Sequence, residues 1–359
     1  MVQFAILNSS VLIDKYGLLS DLIIFRCSAD PVIGFGHLIR CRALAKALYE
    51  LGESCIMIGP SEKYKTIEDN KIFLNWFVYP SLESVVKDVQ ELLQLAEKLN
   101  PKMIVLDDYR VNEYYQLELR KAGIRWLQFD NGRNPIWADI ILNTNPVVSK
   151  DDYNLTLKNP EAILLLGEKY SIIRSEFPPN ITPSTGGQIK KVLLTFGGGD
   201  DCGAIIFTLE TLLRNNLDEV DFLIVSGEHN PRNDEISQWI KSYGNGRVKF
   251  KINPASIVES FSSCDIAIMA GGSTIYEVSS CGLPMILIAI ADNQVSHSKA
   301  WSQKTSMGTF LGKLNEIDSE KLLSEYNKVK RKNLLQYHNK KPLVDGLGRI
   351  RVAKEIINS

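Results

Sequence analysis

The segment with the clearest chemical potential places His37 directly after a turn that contains Gly34 and Gly36. The apolar run at residues 22–25 predicts a strand before this turn, and a long helical pattern follows it. Glycines let backbone N–H groups approach a ligand closely, and a helix N-terminus attracts anions. Histidine can exchange a proton near neutral pH. The pattern therefore predicts a phosphate site beside a general base, and the alternative is a capping histidine beside packing glycines.

Three successive glycines form a second candidate segment directly after another apolar strand. Gly197, Gly198 and Gly199 together cost backbone entropy on folding, and a simple turn needs only one or two glycines. We therefore expect a ligand to come close to the backbone at Gly197 and Gly198. The aspartates that follow, Asp200 and Asp201, could instead cap the next helix.

A third segment joins two glycines to two hydroxyls at the start of a predicted helix. Gly271 and Gly272 offer N–H groups, and Ser273 and Thr274 add hydroxyls, which together suit a diphosphate. Glu277 falls on the same helix face as Thr274 and could accept the hydroxyls of a ribose. The alternative is a capping box in which Ser273 or Thr274 caps the helix and Glu277 reaches back.

Further polar side chains follow predicted strands at their carboxyl ends. Asn293 and Gln294 could donate to a phosphate or a sugar, although Asn293 could also be an ordinary N-cap. His297 lies one turn later, either near the ligand or at a surface position of the helix. Asp107 and Tyr109 are expected to contact a sugar.

The charge balance limits the classes of partner. The chain has 359 residues, a formal net charge of −1 and 45% hydrophobic residues, and its basic residues are scattered. Nucleic acids and anionic membranes call for basic patches, so we expect neither as a main partner, and no partner protein is evident. No apolar run is long enough to span a bilayer, and the first residues lack the basic start of a signal peptide. A cytoplasmic location is the default expectation.

The cysteines and the absent motifs limit the chemistry. None of the six cysteines has zinc-site spacing, so reduced, mostly buried thiols are expected. The sequence contains no Walker-type phosphate loop, no His-Glu-x-x-His and no Gly-x-Ser-x-Gly. We therefore expect no cofactor and no metal, and a diphosphate bound by backbone and hydroxyl groups.

Short β-like runs alternate with helical stretches through most of the chain, which predicts parallel sheets covered by helices. Strands are expected at 21–26, 54–59, 76–79, 102–107, 125–130, 139–143, 190–196, 221–226, 248–252, 265–269 and 284–289. Helices are expected at 37–51, 83–99, 112–122, 202–215, 232–242, 255–262, 273–281 and 293–305.

This alternation predicts an α/β protein of two doubly wound, Rossmann-like domains that face a cleft, with ligands beyond the carboxyl ends of the strands. Residues 1–177 would form the domain that carries the histidine loop, and 178–189, rich in proline and glycine, would be a linker. Residues 190–330 would form the nucleotide domain, followed by a helical tail at 331–359.

The ordered succession of these motifs resembles a known family. The matching residues are Arg26, 33–37, 40–41, 105–109, 129–131, 138–143, 170–177, 196–200, 270–277 and 293–294. Together they resemble the UDP-2,4-diacetamido-2,4,6-trideoxy-β-L-altropyranose hydrolases of pseudaminic acid synthesis, a family that includes spore-coat polysaccharide proteins. The resemblance covers roughly residues 21–310.

The resemblance implies a glycosyltransferase-B fold and a UDP-sugar substrate. By this likeness, the turn 271–274 would face the diphosphate and Glu277 the ribose, while His37 would activate water and Arg26 would belong to the substrate site. The alternatives are a glycosyltransferase of the same fold, with an acceptor hydroxyl in place of water, and a non-catalytic nucleotide-sugar binder.

This sequence departs from the family pattern at three places. Ser28 stands where the family usually has an aspartate, with Asp30 nearby, and Asn131 stands where a second aspartate usually follows Asp130. A lead segment of about twenty residues precedes the usual start. The first two changes fall near the expected sugar pocket.

Overall fold

The protein divides into two compact α/β units, which we describe in a computed structural model. The structure describes residues 21–30, 33–79, 84–130, 135–177, 188–215, 220–331 and 342–359. The first unit comprises Met1–Thr144, Val148–Arg174 and Leu347–Ser359, and the second comprises Asn145–Val147 and Ser175–Gly346. The lead segment, Asn131 and residues 178–187 of the expected linker lie outside the described residues.

The first unit is built on a seven-stranded parallel sheet. Its strands are β1 Leu22–Cys27, β2 Ser54–Gly59, β3 Phe73–Val78, β4 Met103–Asp107, β5 Trp126–Phe129, β6 Ile140–Asn143 and β7 Ile163–Leu166. Their order in the sheet is β3-β2-β1-β4-β5-β6-β7. The order reverses between β1 and β4, so the loops after these two strands leave the same edge at the topological switch point, where ligands of such sheets bind.

The helices of the first unit cover both faces of this sheet. They are α1 Gly36–Glu50, α2 Asp69–Ile72, α3 Val85–Leu99, α4 Glu113–Lys121 and α11 Gly348–Asn358. Helix α1 buries Leu38, Cys41 and Leu48 against the sheet, at the spacing of one helical face. Helix α11 returns from the end of the chain to pack against α1, so this part of the expected tail is a layer of the first unit.

The second unit repeats the plan with a six-stranded parallel sheet. Its strands are β8 Lys191–Thr195, β9 Asp221–Ser226, β10 Val248–Ile252, β11 Ile266–Ala270, β12 Met285–Ala289 and β13 Gly308–Lys313, in the order β10-β9-β8-β11-β12-β13. Its helices are α5 Ala204–Leu213, α6 Asn233–Tyr243, α7 Ile257–Ser262, α8 Thr274–Ser280, α9 Asn293–Lys304 and α10 Ser319–Arg331. Strands β11 and β12 are buried throughout, as expected for parallel strands covered on both faces.

The predicted fold class is confirmed, and two strands, β7 and β13, were not anticipated. Strand β7 is short and partly exposed at one edge of the first sheet. Strand β13 contains Gly308 and Gly312, and glycine argues against a strand in a sequence pattern. Packing explains Gly308, since a side chain there would begin 2.7 Å from Trp301 Cδ1.

The six cysteines are free thiols, and five of them are buried as expected. Burial raises the pKa of Cys264 and of Cys281 to about 12, so these two remain protonated thiols near neutral pH. Cys202 is exposed.

The described helices include none that combines the length and the apolar character needed to cross a membrane.

Candidate functional site

The turn before α1 places His37 in the first helical turn, as predicted. Gly34 adopts φ +89°, and its N–H donates to the Asp30 carbonyl at 2.8 Å. Gly36 is the first residue of α1, and its φ is not in the left-handed region. Of the two glycines, only Gly34 therefore uses the left-handed conformation that favours glycine.

A buried carboxylate fixes the orientation of the histidine. His37 Nδ1 lies 2.7 Å from Oδ1 of Asp107, the last residue of β4, and both side chains are almost fully buried. An ionised carboxylate only accepts hydrogen bonds, so Nδ1 carries the proton that His37 donates to Asp107. In the neutral ring Nε2 then has a free lone pair, which is the arrangement of a general base held by a carboxylate.

Arg40 completes this cluster from the next turn of α1. Its Nε and Nη2 atoms both donate to the Asp107 carboxylate, and Nη2 lies 3.1 Å from His37 Nδ1. Burial alone would raise the pKa of Asp107, but Arg40 and His37 outweigh burial and lower that pKa to about 2. Asp107 is therefore ionised across the neutral pH range. The sequence signal for Arg40 is its position three residues after His37, on the same helix face.

The ring of Tyr109 packs against the ring of His37. The two rings meet edge to face with centroids 4.6 Å apart, and Tyr109 is 55% exposed. Tyr109 is thus accessible to a ligand, and its role as a sugar contact stays a prediction, whereas Asp107 differs from its expected role. Asp107 is buried and bound to two protein side chains, so it orients the His37 ring instead of reaching a sugar.

Arg26 also differs from its expected role in substrate binding. It is 2% exposed, and it donates from Nε and Nη2 to Asp88 at 3.0 and 2.8 Å and from Nη1 to the Cys27 carbonyl at 2.7 Å. A buried bidentate ion pair of this kind locks α3 against the end of β1, which is a structural role.

A second ionic cluster lies on the loop after β4 and was missed by the sequence analysis. Ser28 Oγ donates to Asp108 Oδ2 at 2.5 Å, and Arg110 donates to both residues. Burial opposes ionisation of Asp108, but hydrogen bonds from Arg110 and the charge of Arg26 hold the pKa of Asp108 well below its usual range. Ser28, one of the departures from the family pattern, thus joins the loops after β1 and β4.

Asp130, at the end of β5, is anchored in a similar way. It accepts a hydrogen bond of 2.6 Å from the Tyr153 hydroxyl, which in turn accepts one of 2.9 Å from Asn143 Nδ2. These hydrogen bonds hold the side chain of Asp130 in place at the same edge of the sheet. Asp130 is partly exposed there.

In the second unit, the triple-glycine loop after β8 packs against the turn after β9. A side chain at Gly227 would begin 2.5 Å from the Cα of Gly198, so the two backbones are in direct contact. Gly197 adopts φ +97°, which favours glycine. Asp201 is buried and accepts from the Ile205 N–H at 3.0 Å in the first turn of α5, although the N-cap residue of this helix is Gly203.

The two glycines of the turn after β11, Gly271 and Gly272, have different surroundings. An added side chain at Gly271 would clash with Ser298 Oγ and come within 3.0 Å of the Gln294 carbonyl, so α9 requires a glycine there. Gly272 has no heavy atom within 4 Å of the equivalent position and is partly exposed. Its lack of a side chain is not explained by packing and leaves the backbone open to a ligand.

The remaining predicted nucleotide residues surround this turn. Ser273 and Thr274 are partly exposed, and the N-cap residue Ser273 forms no side-chain cap, so the capping box with Ser273 as the cap is absent. Glu277 is buried in α8. Asn293 is exposed in the first turn of α9 and is not the N-cap residue, which is Asp292. Gln294 Oε1 accepts from the Ile290 N–H at 3.0 Å.

Some of the predicted residues therefore form one group in each unit, near the carboxyl ends of the parallel strands. His37, Arg40, Asp107 and Tyr109 are in direct contact in the first unit. The second unit brings the turn at 271–274 together with the start of α9. Within the described ranges, no group of three or more His, Cys, Asp or Glu side chains is placed to hold a metal ion.

Comparisons with known proteins find distant relatives. An uncharacterised protein of Methanocaldococcus jannaschii is 25% identical over 71% of this chain and 53% of its own length. The UDP-2,4-diacetamido-2,4,6-trideoxy-β-L-altropyranose hydrolase of Campylobacter jejuni is 26% identical over 43% of this chain and 53% of its own length. The spore coat polysaccharide biosynthesis protein SpsG of Bacillus subtilis is 21% identical over 89% of this chain and 93% of its own length. The chain thus spans about half the length of the first two relatives, and no family model matches it.

Solved structures show the fold. MurG of Acinetobacter baumannii has a TM-score of 0.65 at 14% identity, covering 94% of this chain and all of that chain. The UDP-GlcNAc 2-epimerase of Methanocaldococcus jannaschii in complex with UDP-GlcNAc and UDP has a TM-score of 0.61 at 12% identity, covering 94% and 99%. The chain therefore has the glycosyltransferase-B fold, and its named distant relatives are a nucleotide-sugar hydrolase and a polysaccharide biosynthesis protein.

Proposed function

We propose that this protein hydrolyses a UDP-linked diacetamido-trideoxy sugar to UDP and the free sugar, in the synthesis of a pseudaminic-acid-type sugar or a surface polysaccharide. The observation that carries the proposal is the pair of His37 and Asp107, in which Nδ1 is held by an ionised carboxylate. The neutral ring then offers Nε2 as a base. The name of the Campylobacter relative and the motif resemblance supply the substrate class.

In the proposed reaction, water attacks the anomeric carbon of the sugar. A carbon–oxygen bond to water forms while the bond from that carbon to the β-phosphate oxygen breaks, and this oxygen keeps the electron pair. The proton of the attacking water passes to His37 Nε2, and Asp107 stabilises the resulting imidazolium. Arg40 keeps Asp107 ionised and fixed in position throughout.

The second unit would bind the UDP part of the substrate. The Gly272 N–H and the partly exposed Ser273 and Thr274 would donate to the diphosphate and stabilise the charge that develops on it. Glu277 would accept the ribose hydroxyls, and Asn293 and Gln294 would donate to phosphate or sugar. The glycine loop at Gly197 and Gly198 would let the ligand approach the backbone beside β8.

A glycosyltransferase is the second candidate, supported by the Bacillus relative that takes part in polysaccharide biosynthesis. In that case an acceptor hydroxyl would replace water while the same base and the same UDP site serve. A non-catalytic binder is the third, and it leaves the ordered base without a role.

The test is incubation of the purified protein with UDP- and other NDP-linked diamino-trideoxy sugars, with no acceptor added. Release of UDP together with free sugar supports hydrolysis. Release that occurs only when an acceptor is supplied would assign the chain as a transferase, and tight UDP binding without any turnover would favour a binder.

A further inference from the structure

His297 contacts the turn after β11, so it does not occupy a plain surface position of its helix. Its Nδ1 atom lies 3.0 Å from the Gly271 carbonyl oxygen, and its Nε2 atom lies 2.8 Å from the Tyr276 hydroxyl. A carbonyl only accepts hydrogen bonds, so Nδ1 must carry the proton that His297 donates to Gly271. In the neutral ring, Nε2 then accepts from the Tyr276 hydroxyl.

The surrounding rings restrict the movement of His297. The rings of Tyr276 and Trp301 lie 5.2 and 6.4 Å from that of His297, measured between centroids, and they meet each other edge to face at 5.6 Å. Trp301 is fully buried. The imidazole is therefore held at both nitrogens and on its faces, and its donor stays aimed at Gly271.

Because the peptide bond is planar, the contact between His297 and the Gly271 carbonyl also sets the direction of the Gly272 N–H. In a trans peptide the carbonyl of one residue and the N–H of the next point in opposite directions. Because the Gly271 carbonyl points to His297 on α9, the Gly272 N–H points away from α9. Gly272 is partly exposed, and no heavy atom lies within 4 Å of the position that a Cβ would occupy, which leaves room for a ligand beside this peptide.

We propose that His297 is a positioning residue of the nucleotide site, which holds the Gly271 carbonyl so that the Gly272 N–H donates to the diphosphate of bound UDP. This inference rests on the proposed function of the turn. It gives His297 no contact with the ligand, since its two ring nitrogens are used by Gly271 and Tyr276.

The experiment compares binding of UDP and of uridine by calorimetry, in the full chain and its variants. His297→Phe keeps a ring but loses both hydrogen-bonding atoms, and we expect UDP to bind ~10- to 100-fold more weakly, as for the loss of one hydrogen bond to a charged group. Uridine, which lacks the diphosphate, should bind His297→Phe as it binds the unaltered protein. His297→Asn places an amide donor near the Nδ1 position and should restore most of the UDP affinity.

The control is Lys299→Ala, on the exposed face of the same helix, which should bind UDP normally. Unchanged UDP affinity in His297→Phe would overturn the inference, as would an equal loss of UDP and uridine binding, which indicates a general structural effect. If the unaltered protein bound no UDP, the proposed function would fail and this inference with it.

Discussion

Asp107 is the residue on which the proposed chemistry of the first unit depends, since it holds both His37 and Arg40. From the sequence alone, Asp107 is expected to contact a sugar, because a carboxylate at a strand end can reach either a ligand or a neighbouring side chain. Burial and the position of α1 determine that Asp107 contacts a neighbouring side chain and not a ligand. Neither can be read from the residue types. His37 itself could be recognised because its turn, strand and helix are local in sequence.

The first prediction concerns the base and its support. His37→Ala and Asp107→Asn should lower kcat by ~10²- to 10⁴-fold, the usual contribution of a general base, with UDP affinity unchanged. UDP release under saturating substrate measures kcat, and calorimetry measures affinity. Either variant turning over near the unaltered rate would remove this pair from the mechanism.

Variants of two arginines on α1 distinguish an effect on catalysis from an effect on stability. Arg40 pairs with Asp107, whereas Arg42 forms an ion pair of 2.6 Å with the buried Asp69. Arg40→Gln should lower kcat, since it loosens the carboxylate that orients His37. Arg42→Gln should lower the melting temperature and leave kcat unchanged. Equal kcat in the two variants would contradict the role given to Arg40.

The lowered pKa of Asp107 predicts a specific loss of stability in acid. A carboxyl with a pKa of about 2 in the folded state and an ordinary value of 3.8 stabilises the fold above the higher value, and this contribution fades as the pH falls toward the lower one. The difference in unfolding free energy between the unaltered protein and Asp107→Asn should therefore shrink, by up to about 2 kcal/mol, between about pH 5 and about pH 2.5. Urea unfolding at several pH values measures it, and a constant difference would contradict the lowered pKa.

At the scale of elements, alternation of strands and helices predicted most of the fold because buried parallel strands and capped helices have local signatures. Strand β13 escaped because glycines such as Gly308 and Gly312 argue against a strand, and the packing of Gly308 against Trp301 cannot be read from the sequence. The packing of α11 on α1 escaped for the same reason, since contact between residues about 300 positions apart has no local signal. The two glycines of the 271–274 turn also looked alike in sequence, and only the position of α9 separates them.

These two glycines give a prediction about the turn. Gly271→Ala should destabilise the second unit because the new methyl group meets Ser298 Oγ, and adding Ser298→Ala should restore part of the loss. Gly272→Ala should fold normally, since nothing lies within 4 Å, but bind UDP more weakly if the ligand approaches there. Thermal unfolding and UDP titration of the three variants measure both effects. Normal UDP binding by Gly272→Ala would argue against a ligand at this backbone.

At the scale of the whole molecule, the chain carries the proposed base on one unit and the proposed diphosphate turn on the other, and the proposal requires both to act on one substrate. Water attack at the anomeric carbon leaves all the phosphate oxygens of UDP as they were in the substrate, whereas attack at phosphorus would add one from water. The isotopic composition of UDP therefore reports directly on the bond that breaks.

The most direct test is turnover of the UDP-linked diacetamido-trideoxy sugar in ¹⁸O-labelled water without any acceptor, followed by mass spectrometry of the UDP. We predict that the unaltered protein releases UDP that contains no ¹⁸O, and that His37→Ala releases almost none in the same time. UDP that carries ¹⁸O, or equal release by His37→Ala, would contradict hydrolysis by a histidine-activated water at the anomeric carbon.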